Sequence, residues 1–283
     1  MATTFIGGGN MATALIGGMR ARGAAAADFR VVEPNAEARA RLAARHPGLA
    51  LFAECTRDAV AGADLIVLAV KPQQMREAAR ALATRLAGAP PPVVVSIAAG
   101  IRVVDLARWL GGRGRLVRAM PNTPALVGKG IAGVFAAPDV DAAGRALASK
   151  VLDAAGEQVW VDDEVMLDAV TGVSGSGPAY VFYFLEALEE AARDLGFAPA
   201  DARRLAYATF SGAVALALAS PDEPAVLRAQ VTSKGGTTER ALSSMEAGGV
   251  KAMIVAAVKA ASLRAAELGD AYGRDAQSSP TAS

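Results

Sequence analysis

The stretch that most limits what this chain can fold into lies at its start. The apolar segment Thr3–Ile6 runs into Gly7-Gly8-Gly9-Asn10-Met11-Ala12, and a helical pattern follows over residues 11–22, stopping near Gly23. Strand, glycine turn and helix in that order form one unit whose backbone can approach a ligand closely. In the Gly-x-Gly-x-x-Ala spacing, Gly7 makes the tight turn, Gly9 leaves room for a pyrophosphate, and Ala12 lets the helix lie near the strand. Asn10 and Met11 open that helix, where unpaired N–H groups favour an anion. A second apolar segment, Phe29–Val32, ends in Glu33, about 20 residues past the motif, where a ribose-reading acid belongs. A carboxylate there accepts hydrogen bonds from two ribose hydroxyls and repels a 2′-phosphate, so the local chemistry leans to NADH. Arg39 and Arg41 on the next helix keep NADPH open, although both read more simply as a solvated helix face.

The unit then repeats. Strands are expected at 49–52, 64–70, 92–97, 115–120, 131–136 and 158–161, with helices at 73–86, 103–110 and 139–155. Residues 64–70 are apolar without alternation, which marks a strand buried on both faces of a parallel sheet. Such sheets bind ligands beyond the carboxyl ends of their strands. Three loops lie at those ends: Ala69-Val70-Lys71-Pro72, Ala98-Ala99-Gly100, and residues 120–124 with Asn122. Asn122 is either a partner for the nicotinamide carboxamide or for substrate, or a turn residue between two prolines. The expected fold is an α/β Rossmann domain over residues 1–162, with a mostly parallel, doubly wound sheet. Asp162-Asp163-Glu164 closes it as an acidic cap for the next helix.

Beyond residue 163 the strand signals vanish. Helices are expected at 163–171, 179–195, 201–220, 225–231, 238–247 and 249–268, with a small-residue turn at 172–178. The 179–195 helix opens apolar on every side, through Tyr180, Val181, Phe182, Tyr183, Phe184 and Leu185, and so belongs at the centre of a bundle. An all-α half (163–270) without a sheet of its own completes its core against a second copy, so a homo-oligomer is expected. Within it, Thr232-Ser233-Lys234-Gly235-Gly236-Thr237-Thr238 interrupts the apolar pattern. Taken alone this is a helix start capped by hydroxyls. A polar, glycine-softened notch among apolar helices is also a substrate seat, built from Ser233, Gly235, Gly236, Thr237 and Thr238 at a helix N-terminus that can hold a carboxylate. Residues 271–283 read as a disordered polar tail.

Composition narrows the functions available. Lys and Arg number 29 against 28 Asp and Glu, with no basic block, which disfavours nucleic acid as partner. Apolar residues make up 53% of the chain, yet no leucine-rich run reaches the roughly 20 residues a membrane span needs. The N-terminus has no cleavable apolar segment, and a cytoplasmic protein is expected. A single cysteine, Cys55, excludes an internal disulfide and reads as a structural residue on a short strand. A single histidine, His46, has no Cys or His beside it for a metal site, and no metal is expected. Chemistry must then come from a cofactor, or from hydroxyls and backbone.

Six stretches together resemble pyrroline-5-carboxylate reductase: Ile6-Gly7-Gly8-Gly9-Asn10-Met11-Ala12, Ala69-Val70-Lys71-Pro72, Val95-Ser96-Ile97-Ala98-Ala99-Gly100, Arg118-Ala119-Met120-Pro121-Asn122-Thr123-Pro124, Gly172-Val173-Ser174-Gly175-Ser176-Gly177-Pro178-Ala179-Tyr180 and Ser233-Lys234-Gly235-Gly236-Thr237-Thr238. The last three are specific, whereas the first is shared with many dehydrogenases. The resemblance runs to about residue 268. It implies a Rossmann domain, a helical dimerisation domain, and dimers assembling to a decamer. It also implies reduction of 1-pyrroline-5-carboxylate to L-proline by NADPH or NADH, the last step of proline biosynthesis. In that family the loop ahead of the Gly-Gly-x-Thr helix holds substrate, and Thr238 contacts the ring nitrogen. This chain departs from the pattern at Lys234, where the family usually has Pro, at Ala229, where it has Asp, and over residues 221–224. A 3-hydroxyacid dehydrogenase of the same two-domain plan would need a lysine about one turn into the long helix, and residues 178–183 hold none.

Overall fold

The computed structural model describes residues 1–274 and contains two compact units, Met1–Ser176 together with the chain from Ala260 onward, and Gly177–Lys259. In chain order the first comprises β1 (Thr3–Ile6), α1 (Asn10–Ala21), β2 (Phe29–Val32), α2 (Ala36–Arg45), β3 (Ala50–Phe52), α3 (Arg57–Val60), β4 (Leu65–Leu68) and α4 (Pro72–Arg85). It continues through β5 (Val93–Ser96), α5 (Val103–Leu110), β6 (Arg115–Met120), β7 (Gly130–Ala136), α6 (Ala142–Leu152), β8 (Gly156–Trp160) and α7 (Met166–Val170). The eight strands form one sheet in the order β3-β2-β1-β4-β5-β6-β7-β8. Every neighbouring pair is parallel except β6 with β7. The chain winds outward from β1 in one direction and then, from β4, in the other, which opens a crevice at the carboxyl ends of β1 and β4. Ile6 is level with Val32 on one side and Leu68 on the other, so these ends form an even edge.

The core explains why these segments are strands. Leu65, Ile66, Val67 and Leu68 are wholly buried, as a central strand covered on both faces requires. Leu15 and Ile16 of α1, Met75 and Leu82 of α4, and Leu106 and Leu110 of α5 supply the covering layers. Each such side chain stabilises the fold by about 1.5–3 kcal/mol when fully buried. Cys55 lies in the loop between β3 and α3, not on a strand. Burial pushes its thiol pKa up, against the opposing effect of the Arg85 guanidinium.

The small-residue segment expected to be a turn is helical. Thr171–Gly175 forms a π-turn, in which the Ser176 N–H donates to the Thr171 carbonyl at 2.8 Å. The Thr171 and Ser174 hydroxyls donate to the carbonyls of Leu167 and Val170 in the preceding turn, which loosens the regular helical ladder. This segment packs on the sheet: a Cβ added at Gly133 of β7 would lie 2.7 Å from the Val170 side chain. The first compact unit therefore runs through Ser176, past the boundary near 162 that the last strand signal suggests.

The second unit contains α8 (Gly177–Asp194), α9 (Pro199–Ala219), α10 (Pro224–Gln230), α11 (Thr237–Ala247) and the first part of α12 (Val250–Gly273). α8 and α9 make a helical hairpin, with the Phe184 and Phe210 rings 6.4 Å apart. The aromatics expected at a bundle centre are not buried by this chain, since Phe182 is 58% and Tyr183 73% exposed. Of the unit's apolar side chains only Ala202 and Ala206 are buried. A single chain seldom leaves so many large apolar groups in water unless another surface covers them. Among the described residues no single helix is long and apolar enough to cross a membrane, although the bent pair α11 and α12 passes that test together. α12 also runs beyond the expected end at 268, so residues 271–273 of the expected tail are helical. Residues 275–283 lie outside the described residues.

His46 closes α2 and is buried against α1 near Gly17, its Nε2 without a hydrogen-bond partner. Burial, then the Arg20 and Arg45 charges, lower its pKa below the ordinary 6.5. The unfolded chain thus binds the proton more readily, and stability falls as protons are added. The full contribution is present above pH 6.5 and is lost as the pH drops from there through the lowered value. A His46→Leu variant is expected to lose less melting temperature than wild type between pH 8 and pH 5. Equal losses would remove His46 from the acid sensitivity.

Candidate functional site

The sheet's hydrogen bonds run one residue beyond its strands and hold the loops that follow. Gly7 N donates to Val32 O at 2.8 Å, Ala69 N to Ile6 O at 2.8 Å, Glu33 N to Phe52 O at 2.9 Å and Ile97 N to Leu68 O at 3.1 Å. Gly7 has φ +102, and a Cβ there would lie 2.6 Å from the Ala69 carbonyl oxygen, so only glycine can make this turn. Gly9 differs, because a Cβ added to it would meet nothing within 4 Å. It is the N-cap of α1; no side chain caps the helix and no acid stands in its first turn. Asn10, Met11 and Ala12 hold the positions whose N–H groups find no partner within the helix. Open space in front of bare amides is the shape a pyrophosphate needs.

Glu33 sits beside this turn and is braced twice. Its Oε2 accepts from Gly8 N at 2.9 Å and its Oε1 from Asn35 N at 2.9 Å, which leaves each oxygen a lone pair. Arg39 is not the solvated residue expected, since its Nη1 donates to the carbonyls of Glu33 at 2.7 Å and Pro34 at 2.8 Å. Arg41 is solvated, 73% exposed and 3.8 Å from Glu37. A guanidinium therefore lies along the same loop as the Glu33 carboxylate. Along the edge, Ala69 and Val70 follow β4, Lys71 is the N-cap of α4, and Pro72 opens that helix. Ala98 and Gly100 are buried after β5, with Ala99 half-buried between them. Asn122, after β6, is buried and engaged at both ends: Nδ2 donates to Ser174 O at 3.1 Å, and Oδ1 accepts from Ile131 N at 3.0 Å. Of the two roles open to it, the turn-holding one is visible here, and one N–H remains for another partner.

In the second unit, the hydroxyls before α11 do not cap it. The N-cap is Gly236, with no side-chain cap. Glu239 reaches back from the first turn, and its Oε2 accepts from Gly235 N at 2.6 Å, a close variant of the capping box. Gly235 has φ +73, and the Ser233 hydroxyl fills the space where a Gly236 side chain would stand. Thr238 is half-buried, while Ser233, Lys234 and Thr237 are exposed. The arrangement offers a hydroxyl, glycine backbone and first-turn amides in one place, which suits a small anion. Glu239 was not singled out by sequence; the Gly-x-x-Glu spacing across the helix start is the signal that marks it.

Glu164 does not cap the helix that follows it. Its Oε1 accepts from Val103 N at 2.8 Å, capping α5, and from Arg118 Nη1 at 3.0 Å. Arg118 Nη2 also reaches Asp168 at 3.4 Å, and the Arg118 side chain is only 3% exposed. Asp163 instead closes a turn ahead of that helix, accepting from Val165 N at 3.0 Å. This knot ties α5, and through it the loop holding Ala98 to Gly100, to β6 and α7.

Comparison with known proteins bears on both units. Residues 164–268 match a family model described as pyrroline-5-carboxylate reductase dimerisation, and residues 3–100 match one described as NADP oxidoreductase coenzyme F420-dependent. The chain is 47% identical over 274 residues to the pyrroline-5-carboxylate reductase of Pseudomonas aeruginosa, covering 95% of this chain and 97% of that one. Its fold is similar to that of a pyrroline-5-carboxylate reductase from Coxiella burnetii, with TM-score 0.87 and 37% identity over 94% of this chain and 98% of that one. It is also similar to the Plasmodium falciparum pyrroline carboxylate reductase solved with NADP bound, with TM-score 0.83 and 25% identity over 95% and 98% of the two chains. Near-complete coverage at these identities, with the glycine turn and the Gly-Gly-Thr-Thr notch intact, means that the chain belongs to the pyrroline-5-carboxylate reductase family.

Proposed function

We propose that the protein reduces 1-pyrroline-5-carboxylate to L-proline with NADPH or NADH, closing proline biosynthesis. The observation that carries this reading is the bare, open start of α1 in a chain that also builds a polar notch at the start of α11. The first-turn amides of α1, with Gly7 and Gly9, hold the pyrophosphate. Glu33 takes the ribose hydroxyls, and Arg39 gives the same loop a positive group that tolerates a 2′-phosphate. Ala69, Val70, Lys71, Pro72, Ala98, Ala99, Gly100 and Asn122 border the nicotinamide end.

The bound cofactor supplies a hydride to the C=N carbon. Ser233, Gly235, Gly236 and Thr237 hold the substrate carboxylate through a hydroxyl and backbone N–H groups. The Thr238 hydroxyl fixes the ring nitrogen by a hydrogen bond. A hydroxyl is too weak an acid to protonate that nitrogen, so the iminium is the reacting form. Its π pair moves onto nitrogen as the hydride arrives, and a neutral amine results. Most of the rate then comes from placement of the reacting carbons.

Residues 163–270 are the substrate and dimerisation domain in this reading. A homodimer is supported by the exposed apolar side chains of the second unit and by the dimerisation match over 164–268, and its further assembly to a decamer is part of the same proposal. Residence in the cytoplasm is part of the same proposal.

The test is oxidation of NADPH or NADH by purified protein on addition of 1-pyrroline-5-carboxylate; activity with a 3-keto acid instead would overturn the assignment. Thr238→Ala is expected to lower kcat about tenfold, the worth of one hydrogen bond of about 1.4 kcal/mol, with cofactor affinity unchanged. Wild-type turnover in that variant would place the hydroxyl away from the reacting nitrogen.

A further inference from the structure

We propose that the C-terminal end of α12, through Gly269 and Tyr272, positions the loops that border the nicotinamide end of the cofactor. This part of the helix belongs to the first compact unit. Arginines donate to backbone carbonyls along this end, the last of which have no helical partner. Arg102 Nη2 donates to Ala266 O at 3.3 Å, Arg108 Nη2 donates to Gly273 O at 2.5 Å, and Arg76 donates to the Arg274 carbonyl. Arg102 also pairs with Asp270 at 2.7 Å. These contacts clamp the helix end onto α4 and α5.

The clamp brings two residues onto the loops themselves. Gly100, at φ +74, comes so close that a Cβ added there would lie 3.3 Å from Tyr272 Cδ2 and 3.4 Å from Gly269 N. Conversely, a Cβ on Gly269 would lie 3.3 Å from the Gly100 carbonyl oxygen and 3.1 Å from Arg102 Nε. The Tyr272 hydroxyl accepts from Gln73 Nε2 at 3.1 Å, one residue beyond Lys71-Pro72. One helix end therefore backs the loop after β4 and the loop after β5 together. Loops at strand ends are the less rigid parts of such folds, and a helix behind two of them narrows the positions they sample. A loop displaced by a few tenths of an ångström loses or weakens a hydrogen bond to the cofactor, and about 1.4 kcal/mol lost there corresponds to about tenfold in affinity.

The inference rests on the assignment of those loops to the cofactor, and the experiment separates the two. Full-length Gly269→Ala, Tyr272→Ala, Tyr272→Phe and Gly9→Asp proteins are compared with wild type by NADPH fluorescence titration, steady-state kinetics and melting temperature. Gly269→Ala and Tyr272→Ala are expected to raise the Kd and KM for NADPH about tenfold, with KM for 1-pyrroline-5-carboxylate within about twofold. Tyr272→Phe keeps the ring against Gly100 and is expected to stay within about threefold of wild type. Gly269→Ala gains helix propensity but sets a methyl group 3.1 Å from Arg102 Nε and 3.3 Å from the Gly100 carbonyl oxygen, so the two effects oppose; its melting temperature is expected to change little while affinity falls, a divergence that mere anchoring does not produce. If Gly269→Ala and Tyr272→Ala bind NADPH like wild type while Gly9→Asp does not, the helix end only anchors, and the proposal is overturned. If Gly9→Asp also binds like wild type, the cofactor assignment fails and takes this inference with it.

Discussion

Arg118→Met is expected to destabilise the protein by about 3–5 kcal/mol, the cost of removing one partner from a buried ionic group. The Arg118 side chain is 3% exposed and Asp168 9%, so Asp168 would face the interior without its counter-charge. Glu164 is 22% exposed and keeps its bond from Val103 N, so its share of the loss is the smaller one. Denaturant midpoints at one fixed protein concentration measure the effect, since a protein that assembles gains stability with concentration. Adding Glu164→Gln and Asp168→Asn to the Arg118→Met background is expected to restore much of the loss, because the orphaned charges are then gone. A cost below about 1 kcal/mol for Arg118→Met alone would put the knot in the class of a surface pair. The consequence reaches the site, since Glu164 holds the first turn of α5, directly after Ala98 to Gly100.

No pattern in the sequence joins Arg118 to Glu164 or Asp168, because ion pairs between distant segments have no period. What was legible has a local cause. The uninterrupted apolar run at β4 can only be a strand covered on both faces, and Gly7 can only be a turn. Glu33 was legible as an acid at the right distance, but its bracing by Gly8 and Asn35 and the folding of Arg39 over the same loop depend on three-dimensional approach. Gly269 was misread for a physical reason. A glycine late in a helical pattern resembles a stop at 268, whereas here it sits within α12, where Arg102 and Gly100 leave only a tight fit for a Cβ. The α8 aromatics show another limit. An all-round apolar helix demands cover, but its sequence does not say whether its own chain or a second copy provides it. In the notch, the glycines and threonines were legible, but the bond to Gly235 comes from Glu239 on the following helical turn.

Gly9→Asp is expected to weaken NADPH and NADH binding by about a hundredfold or more while leaving the fold intact. Gly9 has φ −73 and ψ −171, extended backbone open to any residue, and its Cβ direction is empty. Aspartate is among the better N-caps, so the helix itself is expected to hold or gain stability. The new carboxylate would bond the first-turn amides and stand where the pyrophosphate must come. Two unit charges about 4 Å apart repel by about 4 kcal/mol at an effective dielectric of 20, which more than covers a hundredfold loss. Gly9→Ala separates charge from bulk: it adds only a methyl group to the open space, so a large loss there would mean that the cofactor presses against Gly9 itself. Fluorescence titration and denaturant midpoints measured on the same samples distinguish a filled cradle from a damaged fold. Unchanged affinity in Gly9→Asp would show that the start of α1 does not hold the dinucleotide, and the chemistry would have to be rebuilt around another part of the sheet edge.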